Sequence, residues 1–385
     1  MIYSSFIELD RKALRKNIRY LKKRIGNARF CSVIKGDAYG HGIQHFLPLA
    51  EECGVDYFAV AEAREAKWAL NVKKPSSHIL IMAMIANEDL EWAIQNDMSF
   101  FVFEMDRLNH AIEVAKKLGK SARIHIQVET GMNRTGFEAD ELEQVRLTIL
   151  NNPEQLVVEG ICTHYAGAES VANYLRIMDQ YSVFIQRVKW FAEHNIKPKY
   201  RHTACSAAAL TYPQTIMDMA RIGIACYGFW PSKEIRMYNL LSDDTKFTRD
   251  PLKRVLTWKS RVMNTNRVSR GEFVGYGTTY MAPRDMKIAV IPVGYFHGFS
   301  RGLSNLGYVL IRNKKAPVIG MVTMNMFSVD VTSIAGVEKG DEVVLIGRQG
   351  SHEISVASFA ELSSYVNYEL LTRLPPDIPR IIKDE

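Results

Sequence analysis

The amino-acid sequence predicts an α/β fold: an N-terminal (β/α)8 barrel of the TIM type followed by a C-terminal, mainly-β domain. Three observations lead there. The chain has 385 residues, and at roughly 150 residues per domain that favours two domains. Through the first 224 positions, short runs rich in β-branched and aromatic residues alternate with stretches of helical periodicity, which signals βα units and a parallel sheet. Toward the C-terminus the pattern becomes all-β.

The eight runs are Ala28–Ile34, Asp56–Ala61, His78–Ala83, Met98–Phe103, Arg123–Val128, Val157–His164, Pro198–Thr203 and Met217–Ile222. Between them, segments such as Glu62–Leu70, Asp106–Leu118, Glu141–Asn151 and Ala172–Asn195 place apolar residues every three or four positions. Eight strand–helix units in about 230 residues match the count and length of a (β/α)8 barrel. A doubly wound open sheet competes, but it usually carries G-x-G-x-x-G after its first strand. Lys35-Gly36-Asp37-Ala38-Tyr39-Gly40-His41-Gly42 does not fit that pattern.

Trp230–Pro251 is polar, charged and proline-flanked, and reads as a linker or surface excursion. The runs Val255–Val268, Glu272–Tyr280, Lys287–Val293, Tyr308–Ile311, Ala316–Gly320, Phe327–Val331 and Asp341–Ile346 then alternate apolar and polar residues between Gly, Pro, Asn or Asp turns. They predict a β-sandwich or barrel, interrupted by one amphipathic helix over Ser355–Ser364. The domain boundary is placed at residue 240, giving a barrel over residues 1–240 and a β domain over 241–385.

Apolar residues at 47% and charged residues at 24% are ordinary for a globular protein and disfavour disordered, collagen-like and coiled-coil chains. Lys plus Arg number 49 against 42 Asp plus Glu, a surplus of +7 with no block of like charges. That suits a small anionic ligand better than a nucleic acid. The longest apolar run, Ile79–Ala86, falls well short of the roughly 20 residues that span a bilayer. The N-terminus lacks a secretory pattern, so the expected location is cytoplasmic. The five cysteines, odd in number and without C-x-x-C spacing, read as buried thiols; no metal site is expected.

Barrel enzymes place their chemistry at the C-terminal ends of the strands. There the sequence puts Lys35 after the first run, Arg134 after the fifth, His164 at the end of the sixth, Ser206 after the seventh, and Arg221 in the eighth just before Gly223-Ile224. Each alone reads equally well as a solvated loop residue. Five together point to a site. Lys35 emerges from the apolar run Cys31-Ser32-Val33-Ile34, where desolvation lowers an ammonium pKa and suits a Schiff-base lysine or a general base. The Ser206 hydroxyl and the amides of Gly223 and Ile224 are donors of the kind that hold a phosphate. A Schiff-base lysine with a phosphate cup describes pyridoxal 5'-phosphate.

Val33-Ile34-Lys35-Gly36-Asp37-Ala38-Tyr39-Gly40-His41-Gly42 resembles the pyridoxal-lysine motif of the alanine racemase family. The resemblance continues through Glu129-Thr130-Gly131-Met132-Asn133-Arg134-Thr135-Gly136-Phe137, Thr163-His164-Tyr165-Ala166, Ala204-Cys205-Ser206-Ala207-Ala208 and Arg221-Ile222-Gly223-Ile224-Ala225-Cys226-Tyr227-Gly228. It resumes with Gly275-Tyr276-Gly277-Thr278-Thr279-Tyr280, Val293-Gly294-Tyr295 and Gly320-Met321-Val322-Thr323-Met324-Asn325, in matching order and spacing over nearly the whole chain.

The resemblance implies a pyridoxal-phosphate-dependent isomerase that interconverts L- and D-alanine, a source of peptidoglycan precursor, acting as a homodimer with shared sites. Lys35 would bear the cofactor and serve as one acid/base group, and Tyr276 from the second subunit would be the other. Tyr39, Ser206, Gly223 and Ile224 would hold the phosphate. Arg221 would face the pyridine nitrogen, where a guanidinium donates a hydrogen bond without protonating the ring and so favours reprotonation over transamination. Phenols ordinarily titrate near 10, so a tyrosine base needs nearby cations, and His164 linked to Arg221 would supply them. Arg134 and the Met324 amide would bind the substrate carboxylate. Racemisation of serine or of several amino acids is the alternative, followed by an inactive pyridoxal-phosphate-binding homologue, against which the joint retention of Lys35, Tyr276 and Arg221 argues. A same-fold decarboxylase would want a carboxylate at position 221.

The chain departs from the family pattern in four places. Gln127 stands where many members have a carbamylated lysine beside the carboxylate-binding arginine. Asn325 replaces a common aspartate, Phe296-His297 replace Ala-Asp, and Leu374-Pro375-Pro376-Asp377 lacks a phosphate-contacting tyrosine.

Overall fold

The computed structural model describes residues 3–242, 250–356 and 367–384. It divides into two compact units. One comprises the N-terminal segment through Lys12, residues 39–45 and the chain from Arg254 onward; the other comprises Ala13–Ala38 and Phe46–Lys253.

After an initial strand β1 (Ser5–Asp10), all eight runs of the first half form strands: β2 (Arg29–Val33), β3 (Tyr57–Glu62), β4 (His78–Met84), β5 (Ser99–Val102), β6 (Ala122–Gln127), β7 (Leu156–Cys162), β8 (Tyr200–His202) and β9 (Met219–Ile222). They pair in parallel in the order β8-β7-β6-β5-β4-β3-β2-β9, so the last strand lies beside the first. Between β8 and β9 the ladder thins to two backbone bonds, Asp218 N–H to the Arg201 carbonyl at 3.1 Å and Arg221 N–H to the Ala204 carbonyl at 2.9 Å. The result is a nearly closed barrel.

The helices bury the stripe that their periodicity predicts. Met105–Leu118, for example, buries Leu108, Ala111, Ile112 and Ala115, and stops at Gly119, whose φ of 61° is the left-handed conformation that ends many helices. Full burial of a side chain such as Leu108 is worth about 2 kcal/mol. The segment Trp230–Pro251, expected as a linker or surface excursion, carries a helix over Lys233–Ser242. Its polar composition concealed the stripe, which consists of the buried Ile235 and Asn239 four positions apart.

In the other unit, the strands are β1, β10 (Leu256–Arg261), β11 (Asn264–Val268), β12 (Met286–Ile291), β13 (Tyr308–Ile311), β14 (Lys314–Ile319), β15 (Phe327–Asp330), β16 (Glu342–Gln349), β17 (His352–Ile354) and β18 (Arg380–Lys383). Their order is β11-β12-β15-β14-β13-β16-β10-β1-β18, with β17 on β16. The single run expected over Val255–Val268 divides into β10 and β11. Glu272–Tyr280, expected as a strand, is instead an isolated bridge, Phe273 to Met281, around a 3-10 turn at Tyr276–Thr278. Positive φ at Gly275 (72°), Gly277 (78°) and Thr278 (47°) breaks the extended backbone there. The expected helix over Ser355–Ser364 falls largely outside the described residues. Among those described, no helix is long and apolar enough to cross a membrane.

Candidate active site

Four of the five candidates from the first half meet electrostatically at the C-terminal mouth of the barrel. Lys35 is the second residue beyond β2, exposed along one side. Desolvation by the surrounding protein lowers its pKa, the charge of Arg134 lowers it further, and Glu65 opposes both. His164 is the second residue beyond β7. Burial, followed by the charges of Arg221, Arg134 and Lys35, pushes its imidazole down to about 3, so it is neutral at physiological pH.

Arg221 is 5% exposed, and four of its N–H groups are engaged. Nη1 donates to His202 Nδ1 and to the His202 carbonyl at 3.0 Å; Nη2 donates to the carbonyls of Thr163 at 2.7 Å and Thr203 at 3.1 Å. A guanidinium has five N–H donors and no acceptor, which leaves its Nε–H. The direct side-chain partner of Arg221 is therefore His202, and His164 feels it through charge.

Because arginine can only donate, His202 Nδ1 accepts, and its Nε2–H must then point to His125 Nδ1, 2.8 Å away. His125 in turn presents Nε2–H toward the Tyr57 hydroxyl at 3.2 Å and Glu159 at 3.6 Å. Burial lowers the pKa of both histidines and outweighs the opposing pull of Glu159 on His125, and Arg221 lowers both further, favouring the neutral tautomers this chain of bonds requires. Glu159 closes the far end, accepting from Ser99 and Arg123. Tyr57 and His125 lie three strands apart, so the relay crosses the barrel interior. Gly160 makes room for it: a Cβ there would sit 2.1 Å from His125 Nδ1.

Arg134 sits on a loop that Glu129 organises. One carboxylate oxygen accepts the amides of Thr130 (2.8 Å), Gly131 (2.5 Å) and Met132 (2.7 Å), and the other accepts that of Arg134 at 3.4 Å. Although burial alone would raise it, the backbone amides of Asn133, Gly131, Met132 and Arg134 hold the Glu129 carboxyl below its ordinary range. Gln127 donates through Nε2 to the Thr135 carbonyl at 3.1 Å and the Thr135 hydroxyl at 3.0 Å. It thus clamps the residue next to Arg134 rather than the guanidinium.

Ser206 opens the short helix Ser206–Thr211, and its Oγ accepts the Gly223 amide at 2.9 Å. Among the described residues, none accepts its hydroxyl proton. Lys35, Arg134 and Arg221 are thus gathered around a neutral histidine with Glu65 as the carboxylate beside them, beside a serine–amide pair. That donor set suits an anionic ligand carrying a phosphate, and it fits pyridoxal phosphate together with an amino-acid carboxylate.

In the other unit, Tyr276 lies on the 3-10 turn and is 77% exposed. It lines a cavity of about 670 Å³ with Tyr295, Arg301, Met324 and Asn325. Gly294 brings two sequence motifs together: a Cβ there would lie 2.1 Å from the Thr323 carbonyl, and the amides of Tyr295 and Phe296 donate to the Thr323 and Met324 carbonyls, each at 3.0 Å. Tyr39 occupies a left-handed conformation with φ 51°. Sequence reasoning missed Glu65, His125, Glu159, His202 and Arg301. His202, three residues before the Cys205-Ser206 pair at a strand end, carried a readable signal; the others required their partners.

Fold and site together define a barrel protein with a cationic site at the C-terminal ends of its strands, followed by a mainly-β unit. The chain matches the family described as alanine racemase, N-terminal domain, over residues 9–231, and alanine racemase, C-terminal domain, over residues 255–382. An alanine racemase of Leptospira interrogans is 33% identical over 99% of this chain and 96% of that protein. One from Methanococcus maripaludis is 33% identical over 97% of each. Among solved structures, an alanine racemase of Bacillus anthracis with bound L-Ala-P superposes with a TM-score of 0.90, 31% identity and coverage of 100% of this chain and 96% of that one. The chain belongs to the alanine racemase family.

Proposed function

We propose that the chain interconverts L- and D-alanine with pyridoxal phosphate, using Lys35 and Tyr276 as acid/base groups on opposite faces of the substrate. The observation that carries this reading is the gathering of Lys35, Arg134 and Arg221 around the neutral His164 at the barrel mouth. When bound, the cofactor supplies the electron sink that acidifies the substrate Cα–H. One of the two groups would take the Cα proton and the other would return a proton from the opposite face, so nothing is oxidised overall. Lys35 also holds the cofactor. The Nε–H of Arg221 is the donor assigned to the pyridine nitrogen, and Ser206, Gly223, Ile224 and Tyr39 are assigned to the phosphate. Arg134 and the Met324 amide receive the substrate carboxylate.

The active unit in this reading is a homodimer with shared sites. In its support, Tyr276 is 77% exposed and Met324 53% exposed although both line one cavity, and Phe273, Met281 and Phe296 are each more than half exposed; large apolar side chains left in water favour burial by a partner. A cytoplasmic location and a role in supplying D-alanine for peptidoglycan belong to the same proposal.

Mixing inactive Lys35→Ala and Tyr276→Phe chains tests it. After verified subunit exchange, about a quarter of the sites should receive both intact residues, because one site of each heterodimer is whole. Absence of recovered alanine racemisation would overturn the shared site. A borohydride-reduced cofactor recovered on any tryptic peptide other than that of Lys35 would overturn the lysine assignment.

A further inference from the structure

Beyond β2 the backbone does something its residues do not favour. Gly36, Asp37, Ala38 and Tyr39 have φ of 63°, 50°, 54° and 51°, four consecutive residues in the left-handed region. The Ala38 amide donates to the Ile34 carbonyl at 2.8 Å, closing one left-handed turn. For L-residues such a turn costs roughly 1–2 kcal/mol each, and three of the four are not glycine. Something outside the segment must hold it.

Glu65 is 5% exposed, in the first turn of the helix Ala63–Leu70. Its Oε1 accepts the amides of Gly36 at 2.5 Å and Asp37 at 3.2 Å, and its Oε2 accepts the Ala61 amide at the end of β3 at 2.9 Å. Consecutive N–H groups in a left-handed turn form an anion-binding nest, and here the anion is a buried side chain anchored to the neighbouring strand. The two amides it holds directly follow Lys35, so they set the direction in which the lysine leaves the backbone.

We propose that Glu65 is a positioning residue whose carboxylate templates the left-handed turn and thereby aims Lys35 into the barrel mouth. The assignment rests on the reading of Lys35 as the cofactor lysine, while its structural half stands without it. Glu65 is also the negative charge that counters Arg134 at Lys35. Removing it therefore leaves the ammonium easier to deprotonate.

The test uses the full chain with Glu65→Gln, Glu65→Asp and Glu65→Ala. In the cofactor-free protein, deuterium exchange of the Gly36 and Asp37 amides should accelerate at least tenfold in Glu65→Ala. Glu65→Gln keeps the volume but has a single acceptor oxygen, so exchange should rise at either residues 36–37 or residue 61. That variant decides the matter if Glu65→Ala does not fold. The pH midpoint for acetylation of Lys35, read by peptide mapping, should move downward in Glu65→Gln. In the loaded enzyme kcat should fall, with KM for alanine changing less than threefold and partial rescue by Glu65→Asp. Unchanged protection at residues 36, 37 and 61 in Glu65→Gln, or an unmoved Lys35 midpoint, overturns the proposal. Because exchange and acetylation are read without cofactor, failure of the racemase reading would appear separately, as a cofactor found away from Lys35.

Discussion

Glu159→Gln removes the charge that ends the buried relay while keeping the shape of the side chain. Burial alone would push the Glu159 carboxyl up, but the donors around it, His125, Ser99 and Arg123, outweigh burial and hold it at about 2 against an ordinary 4.5. Each pH unit by which folding lowers a carboxyl pKa is worth about 1.4 kcal/mol, so the ionised carboxylate contributes about 3 kcal/mol to the folded state. The folded pKa is depressed, so this stability is fully present above about pH 4.5 and is lost as pH falls toward 2. About 2 of the 3 kcal/mol should be gone by pH 3. The assay is urea unfolding of wild type and variant from pH 7 to pH 3, with the difference between the two proteins taken at each pH so that other titrating groups cancel. The variant should be about 3 kcal/mol less stable at neutral pH, and the gap should narrow steeply below pH 4.5. A gap that stays constant down to pH 3, or a variant as stable as wild type at pH 7, would refute the relay.

Two further outcomes follow from the same geometry. Gly160→Ala forces a Cβ to within 2.1 Å of His125 Nδ1, so it should lower stability by about 1–3 kcal/mol in thermal unfolding and reduce kcat by displacing His202 from Arg221; a native Tm would show that the barrel yields there. Glu129→Ala leaves the Thr130, Gly131 and Met132 amides without their carboxylate. KM for alanine should then rise at least tenfold through Arg134, with faster amide exchange over residues 130–132, and an unchanged KM would detach Glu129 from substrate binding.

The eight barrel strands were legible because each is a local run bounded by a helix with its own apolar period, and neither signal depends on a distant partner. The same locality placed Lys35, His164, Ser206 and Arg221 at strand ends. Strand β1 was not recognised, although Ile7 and Leu9 alternate with polar neighbours, because its place is set by antiparallel pairing with β10 and parallel pairing with β18, both remote in the chain. The Tyr276 segment looked extended by composition; a turn formed where successive glycines permitted positive φ.

The candidate site divides in the same way. Residue type at a strand end follows from chemistry written in one short segment, so the lysine, the serine and the arginine could be named from the chain alone. What holds them could not. Ala38 and Tyr39 have no preference for a left-handed turn, and its anchor, Glu65, lies 29 residues from Gly36. The tautomers of His125 and His202 follow from a donor on β9 and a carboxylate on β7, brought within reach across the barrel interior. Periodicity and propensity are properties of neighbours along the chain, whereas the energy of a buried charge depends on what folding places around it.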